Sequence, residues 1–298
     1  MKKMLILFLT LLLFIVACSK SGINPLSDDI KNSQAKAELE GIIKHSPYFS
    51  DSNQEDSSTS RLRSLNFVVS EFKGTVAPNN NWYRRCDWQN VYREIIIEPL
   101  DLEQGKAWVE VNTIINGYLR TATNGLQLIE GPYIDKPFTH YITRKAYFER
   151  ENGKWKLRKI SPAYASYLPL DNTPKIEIVS VKVYRGTETT PIIIITNTET
   201  LYDKDTLPQL TSGEVIKVKL TAENNLSGTN YCYIHRYLYR RDAMGNESGS
   251  SYTNTYTVGQ IPGIYQAWFD AIDKKTIDDI LTETNYASVL WGIPYRVE

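Results

Sequence analysis

Five residues able to hold a ligand or move a proton fall at strand-like spacing in the middle of the chain: Glu94, Glu110, Asn112, His140 and Arg144. In an extended strand every second side chain shares a face. That rule groups Tyr92, Glu94, Ile96 and Glu98; then Trp108, Glu110, Asn112 and Ile114; then Phe138, His140, Ile142, Arg144, Ala146 and Phe148. If all three faces line one concave side, the five polar groups converge on a pocket, where a carboxylate or the imidazole could act as a general base. The competing reading is a solvated sheet face carrying cross-strand Glu and Arg pairs. A slip of one residue in register inverts a face, so spacing does not choose between the two. Ligand binding is expected of such a pocket ahead of catalysis.

Other chemistry is sparse. No nucleophile elbow, phosphate-binding loop, dinucleotide fingerprint or HExxH occurs. The histidines, His45, His140 and His235, are far apart in sequence. Asp270, Asp273, Asp278 and Asp279 fit no calcium loop, and with Lys274 and Lys275 among them they read as a solvated turn. The sequence therefore points to no catalytic set, no metal and no cofactor. Tyr231, Tyr233, Tyr237 and Tyr239 share a face if their strand is unbroken, with His235 among them and Cys232 and Ile234 opposite. That face suits either a sandwich core or an aromatic platform for glycan or protein, and the core is the expected use.

Cys18 has the clearest chemical context. Lys2 and Lys3 precede an uncharged run from Met4 to Ala17, which ends Ile15-Val16-Ala17-Cys18 and gives way to Ser19-Lys20-Ser21-Gly22. Fourteen residues are too few to span a bilayer, which takes about 20, but suit the apolar part of a signal segment. The segment resembles a bacterial lipoprotein signal. The resemblance implies cleavage before Cys18, lipidation of its thiol and a stable membrane anchor, since two or more acyl chains hold firmly. Ser19 in place of aspartate points to an outer-membrane or surface destination. Without residues 1–17, Lys+Arg falls from 34 to 32 against 34 Asp+Glu. That balance is not the strongly basic surface of a nucleic-acid binder. Cys86 and Cys232 remain, 146 positions apart, and are expected as two separate thiols.

Residues 18–27 read as a tether, followed by a helix capped by Ser27 and running to about Lys44. Ser46-Pro47 ends it, 50–61 reads as an exposed loop, and an amphipathic piece is expected over Leu62–Phe72. Strands are expected at Val91–Glu98, Ala107–Ile115, Tyr118–Thr123, Phe138–Arg150 and Lys154–Ile160. Leu168 to Pro174 is rich in proline and reads as a linker. Seven short strands are expected beyond it, a pattern that suggests a sandwich.

Tyr147 to Ser161, with its Glu151-Asn152-Gly153 turn and Lys154-Trp155, resembles the closing hairpin of the NTF2-like (cystatin-like cone) superfamily. Pro262-Gly263-Ile264-Tyr265-Gln266-Ala267-Trp268 is similar to late strands of immunoglobulin-like or fibronectin-III-like modules. Together the resemblances imply an α+β NTF2-like cone domain over 28–168, a linker at 169–174, and an all-β immunoglobulin-like sandwich over 175–298. The expected function is a membrane-anchored, extracytoplasmic lipoprotein with a non-enzymatic binding role at the cell envelope, its partner a protein or a glycan. Small-molecule or glycan binding in the cone pocket is the alternative, and a cone-fold hydrolase or isomerase comes third.

Overall fold

A computed structural model describes residues 25–51, 82–87, 89–122, 133–167, 176–236, 240–279 and 286–298. The signal-like run with Cys18, the Leu62–Phe72 piece, the 169–174 linker, Tyr237 and Tyr239 lie outside the described residues. The chain forms two compact units, Met1–Gly41 and Ile42–Glu298. Helix α1, Pro25–His45, begins in the first and ends in the second. It starts two residues before Ser27, at a proline whose fixed φ suits a first helical turn. Asp28 in its first turn and Lys44 and His45 in its last complement the helix dipole.

The second unit is built from β1 (Trp82–Cys86), β2 (Tyr92–Asp101), β3 (Lys106–Ala122), β4 (Tyr133–Glu151), β5 (Lys154–Ile160), β6 (Ala163–Tyr167), β7 (Ile176–Arg185), β8 (Ile193–Ile195) and β9 (Tyr202–Asp203). It continues with β10 (Gln209–Leu210), β11 (Val215–Asn224), β12 (Asn230–Arg236), β13 (Arg240–Ala243), β14 (Gly245–Ser248), β15 (Ser251–Thr257), β16 (Gly263–Asp273), the short helix α2 (Lys274–Asp278) and β17 (Ser288–Val297). Twelve strands form one sheet, whose main path runs β1-β3-β4-β6-β17-β16-β12-β13. Five more, in the order β14-β15-β11-β7-β8, form a second.

The α+β NTF2-like cone and the separate immunoglobulin-like sandwich are therefore overturned. Among the described residues one helix reaches seven residues, and β6 pairs with β4 on one side and β17 on the other. Strands from 28–168 and from 175–298 thus share a sheet. The hairpin behind the cone resemblance does form. Asn152 and Gly153 take positive φ at its turn, and β5 pairs back on β4. Turn chemistry specifies which two strands meet locally. It carries no information about the strand that later pairs beside them.

Strands β12, β16 and β17 are buried on both faces. Cys232, Ile234, Phe269, Ala271, Val289, Trp291 and Ile293 pack in one core with Val181, Val218, Leu220 and Tyr252 of the second sheet. The alternate residues Tyr233, Trp268, Ile272 and Leu290 pack in another, with Trp82, Leu119, Phe138 and Ile142. Trp82 and Tyr233 lie on strands far apart in the sheet order, yet Trp82 Nε1 donates to the Tyr233 hydroxyl at 3.1 Å. The large sheet therefore rolls around this second core. Cys86 belongs to the rolled interior and Cys232 to the core shared with the second sheet, so a β-sheet separates the two buried thiols, which form no disulfide.

The roll depends on glycines where backbones come close. Strand β3 continues through Asn116-Gly117, where two strands were expected. A Cβ on Gly117 would lie 2.6 Å from the Phe138 ring and would also meet the Arg85 carbonyl. At Gly292 a Cβ would sit 2.9 Å from the ring of fully buried Trp268. Gly292→Ala should lower stability by about 1–3 kcal/mol, the usual result of overpacking a full core. Urea denaturation followed by tryptophan fluorescence reads this out, and an unchanged midpoint would mean that the Trp268 ring moves freely.

Candidate functional site

The ladders divide the five marked residues between two faces. Directly paired residues on antiparallel strands project to the same side. Glu94 pairs with Asn112, and Ile96 with Glu110. Across β3 and β4, Glu110 pairs with Lys145 and Asn112 with Thr143, whereas His140 pairs with Ile115 and Arg144 with Val111. Glu94, Glu110 and Asn112 therefore share the outer face of β2–β3–β4, and His140 and Arg144 share the inner face. Asn112 Nδ2 donates to Glu110 Oε1 at 3.0 Å on the outer side.

The inner face is filled by side chains. His140 is fully buried, its Nε2 2.9 Å from the Tyr286 hydroxyl, and Phe138 stacks on the Tyr286 ring. Burial pushes the His140 imidazole well below its ordinary range, and the nearby Arg84 charge pushes it further. Burial likewise raises the Tyr286 phenol. The two meet as neutral groups. Arg144 donates through Nη1 to the Tyr48 carbonyl at 2.6 Å and lies 3.6 Å from the Asp51 carboxylate. Gln266 Nε2 also donates to Tyr48 O (2.9 Å), and Arg93 holds Asp51 (2.7 Å). The 3-10 turn Pro47–Phe49, capped by Ser46, is thus fastened by side chains of β2, β4 and β16. Lys136, further along β4, is buried and donates to the Thr276 and Asp279 carbonyls at the end of α2, 2.8 Å each, where a cation suits the negative end of a helix.

Between His140 and Trp82 lies a charge cluster that spacing did not reveal. Arg84 Nη2 donates to Asp270 Oδ2 at 2.8 Å, with neither side chain exposed. His235 Nε2 lies 3.0 Å from the same oxygen, and since a carboxylate only accepts, that nitrogen carries the proton. Ser288 donates to Asp270 Oδ1 at 2.9 Å. Burial alone would raise the Asp270 carboxyl. The Arg84 charge and the His235 and Ser288 hydrogen bonds outweigh it and hold the carboxyl at about 2. Serine and histidine both bind the carboxylate, so this is no relay from a hydroxyl through an imidazole to an acid. One signal was legible: Asp270 is the lone charge in Ala267-Trp268-Phe269-Asp270-Ala271-Ile272, and a carboxylate within an apolar strand needs a cationic partner. The expectation of a solvated turn fails for Asp270, which sits mid-strand, and for Asp273, which is also buried.

The outer face of β2–β3–β4 is different. Tyr92, Trp108 and Tyr133 are 59%, 38% and 50% exposed. Trp108 packs beside Tyr147 with centroids 4.8 Å apart. Arg120 lies 3.6 Å over the Tyr133 ring and forks onto Asp135 through two bonds of 2.6 and 2.7 Å. On the Tyr231–His235 strand, Tyr233 and His235 face the rolled interior and are buried, which makes them core. Among the described residues no group of three or more His, Cys, Asp or Glu could hold a metal ion. No protein-family model matches the chain, and no curated protein sequence shows a significant match.

Two consequences of the interior cluster can be measured. Asp270→Asn leaves Arg84 buried without its counter-charge and should cost about 3–5 kcal/mol in chemical denaturation. His140 is neutral when folded, with its pKa depressed, whereas in the unfolded chain it protonates near pH 6.5. The unfolded state therefore takes up the proton first. Stability contributed by this residue is present above pH 6.5 and lost as pH falls, with a slope of up to about 1.4 kcal/mol per pH unit. His140→Gln should flatten the stability profile between pH 6.5 and 5, and a slope unchanged from the parent would refute the assignment.

Proposed function

We propose that the chain is a lipid-tethered, extracytoplasmic protein with a non-enzymatic binding role at the cell envelope, exercised through the outer face of β2–β3–β4. The observation that carries binding ahead of catalysis is the enclosure of the acid–base groups. Asp270, His140 and Arg84 have no exposed surface, and His235 is 1% exposed. Each is committed to other side chains of the fold. A general base must come within hydrogen-bond reach of the proton it takes, and these groups are enclosed by the protein's own side chains. The exposed functional groups are instead aromatic rings and self-paired charges, the side-chain classes enriched where proteins make contacts.

The tether rests on Cys18 and the basic and apolar residues before it. Among the described residues no helix is long and apolar enough to cross a membrane, so the lipid is the anchor in this reading. In a cell that expresses the full chain, Cys18→Ser should abolish metabolic labelling with radiolabelled palmitate. It should also move the protein from the detergent phase to the aqueous phase in a phase partition, or leave it unprocessed. Normal processing with undiminished labelling would sink the anchor.

A further inference from the structure

We infer that Arg144 anchors a binding site for a small monovalent anion, built on the inner face of β4 beside the Pro47–Phe49 turn. The site goes beyond the outer-face role proposed above and does not depend on it. Arg144 is 3% exposed, and a buried guanidinium needs acceptors for its five N–H donors. Its Nη1 has one, the Tyr48 carbonyl oxygen at 2.6 Å. Its Nε and Nη2 have no hydrogen-bond partner. These two nitrogens form one side edge of the planar group, where two N–H bonds run parallel and can grip a carboxylate with both at once. Buried donors are normally satisfied, and two orphans on a single edge call for an acceptor.

Asp51 does not fill that place. Its Oδ1 lies 3.6 Å from Nη2, an ion pair too long to be a hydrogen bond, and its Oδ2 accepts from Arg93 at 2.7 Å. Among the described residues Asp51 is the only carboxylate within ion-pair distance of either arginine. Two cations thus share one counter-charge, and the site is one negative charge short. Burial presses the Arg144 guanidinium below the ordinary arginine range; Asp51 opposes that shift and Arg93 adds to it. The flanks are aromatic, with the Phe49 and Trp268 rings each 5.9 Å from the guanidinium carbon. Trp268 is fully buried, and its indole N–H is a further donor with no partner. Donors without acceptors, next to an excess positive charge, select an anion, and a dry environment strengthens the attraction. One missing charge selects a monoanion, a small carboxylate or a halide, over a divalent oxyanion whose second charge would go unmatched. Arg93 keeps 26% of its side chain exposed, so its side of the site reaches solvent.

Thermal unfolding of the full chain in detergent tests this. Formate, chloride and sulfate are titrated through the millimolar range, with ionic strength held constant by a bulky sulfonate. A saturable rise in melting temperature is expected with formate or chloride and not with sulfate. Tighter formate identifies a carboxylate site, and tighter chloride a halide site. Asp51→Asn removes a repelling charge and should tighten the apparent affinity about fivefold, the effect of one nearby unit charge. Arg93→Gln should weaken it by about the same factor. A general salt effect would not change in opposite directions in these two variants, and neither variant removes Arg144. Arg144→Lys keeps the charge without the two-donor edge and should weaken formate binding about tenfold. If that variant does not fold, the opposite signs of the other two still decide. No saturable rise with either monoanion, a rise with sulfate alone, or affinities unchanged in both Asp51→Asn and Arg93→Gln overturns the proposal.

Discussion

The ion pair between Arg84 and Asp270 is the contact on which the form of the second unit depends. It joins β1, at one end of the large sheet, to β16, which lies several strands away along the sheet, and its partners are 186 residues apart in sequence. Such a pair adds little net stability, because desolvating both charges offsets most of their attraction. We read its role as one of register. Shift β16 by one residue and Asp270 turns from the rolled interior into the core shared with the second sheet, among Phe269, Val289 and Trp291, where no cation waits. A buried charge without a partner costs several kcal/mol, so the alternative register is heavily penalised. His235 and Ser288 reinforce the choice, because each satisfies an oxygen of the same carboxylate from a different strand.

A second constraint follows from the first. With the sheet rolled inward on one side and covered by the five-stranded sheet on the other, β12, β16 and β17 must be buried on both faces. They are: every residue from Gln266 to Asp273 is buried, as is every residue from Ser288 to Tyr295. Strands that serve two cores cannot show hydrophobic alternation, and the chain meets the crowding with glycine at position 292, beneath Trp268. The buried thiols report the same geometry, since thiols that point to opposite sides of one sheet cannot be bridged.

These two constraints explain which parts of the fold were legible. Strands β2, β4 and β5 each have one face in a core and one toward solvent, so their alternation survives in sequence; β4 keeps it from Tyr133 to Glu149. Alternation also grouped Glu94, Glu110 and Asn112 on one side, as the β2–β3 ladder does. It could not say that β4 presents His140 and Arg144 to the other side, because each strand has two faces and the choice between them is made by pairing with a neighbour. The architecture failed for a related reason. A hairpin motif at Tyr147–Ser161 is local, whereas the position of β6 between β4 and β17 is a contact between distant segments. Nothing in the composition of Ala163–Tyr167 names Val289 to Gly292 as its partner. Arg84 was overlooked because an arginine between a tyrosine and a second arginine reads as surface until a buried carboxylate claims it.

The outer face of β2–β3–β4 is what remains once those demands are met. The second sheet packs on β12, β16 and β17, so that, among the described residues, the strands on the far side of β6 keep one face outside both cores. Folding does not require aromatic residues there. Burying a large apolar side chain fully is worth about 1.5–3 kcal/mol, and Tyr92, Trp108 and Tyr133 realise only part of that, since each keeps more than a third of its surface in water. Threonine or lysine on the same strands would satisfy the sheet and improve solubility. The rings are therefore better explained by what they do in contact with something else than by what they do for the fold. Large apolar groups held exposed on a rigid support commonly mark a binding surface, and the long β3–β4 ladder supplies that rigidity, with seventeen consecutive residue pairs in unbroken register. The interior that enforces this register and the exterior that uses it are thus opposite faces of the same strands: Ile115 and His140 inward, Ile114 and Tyr141 outward.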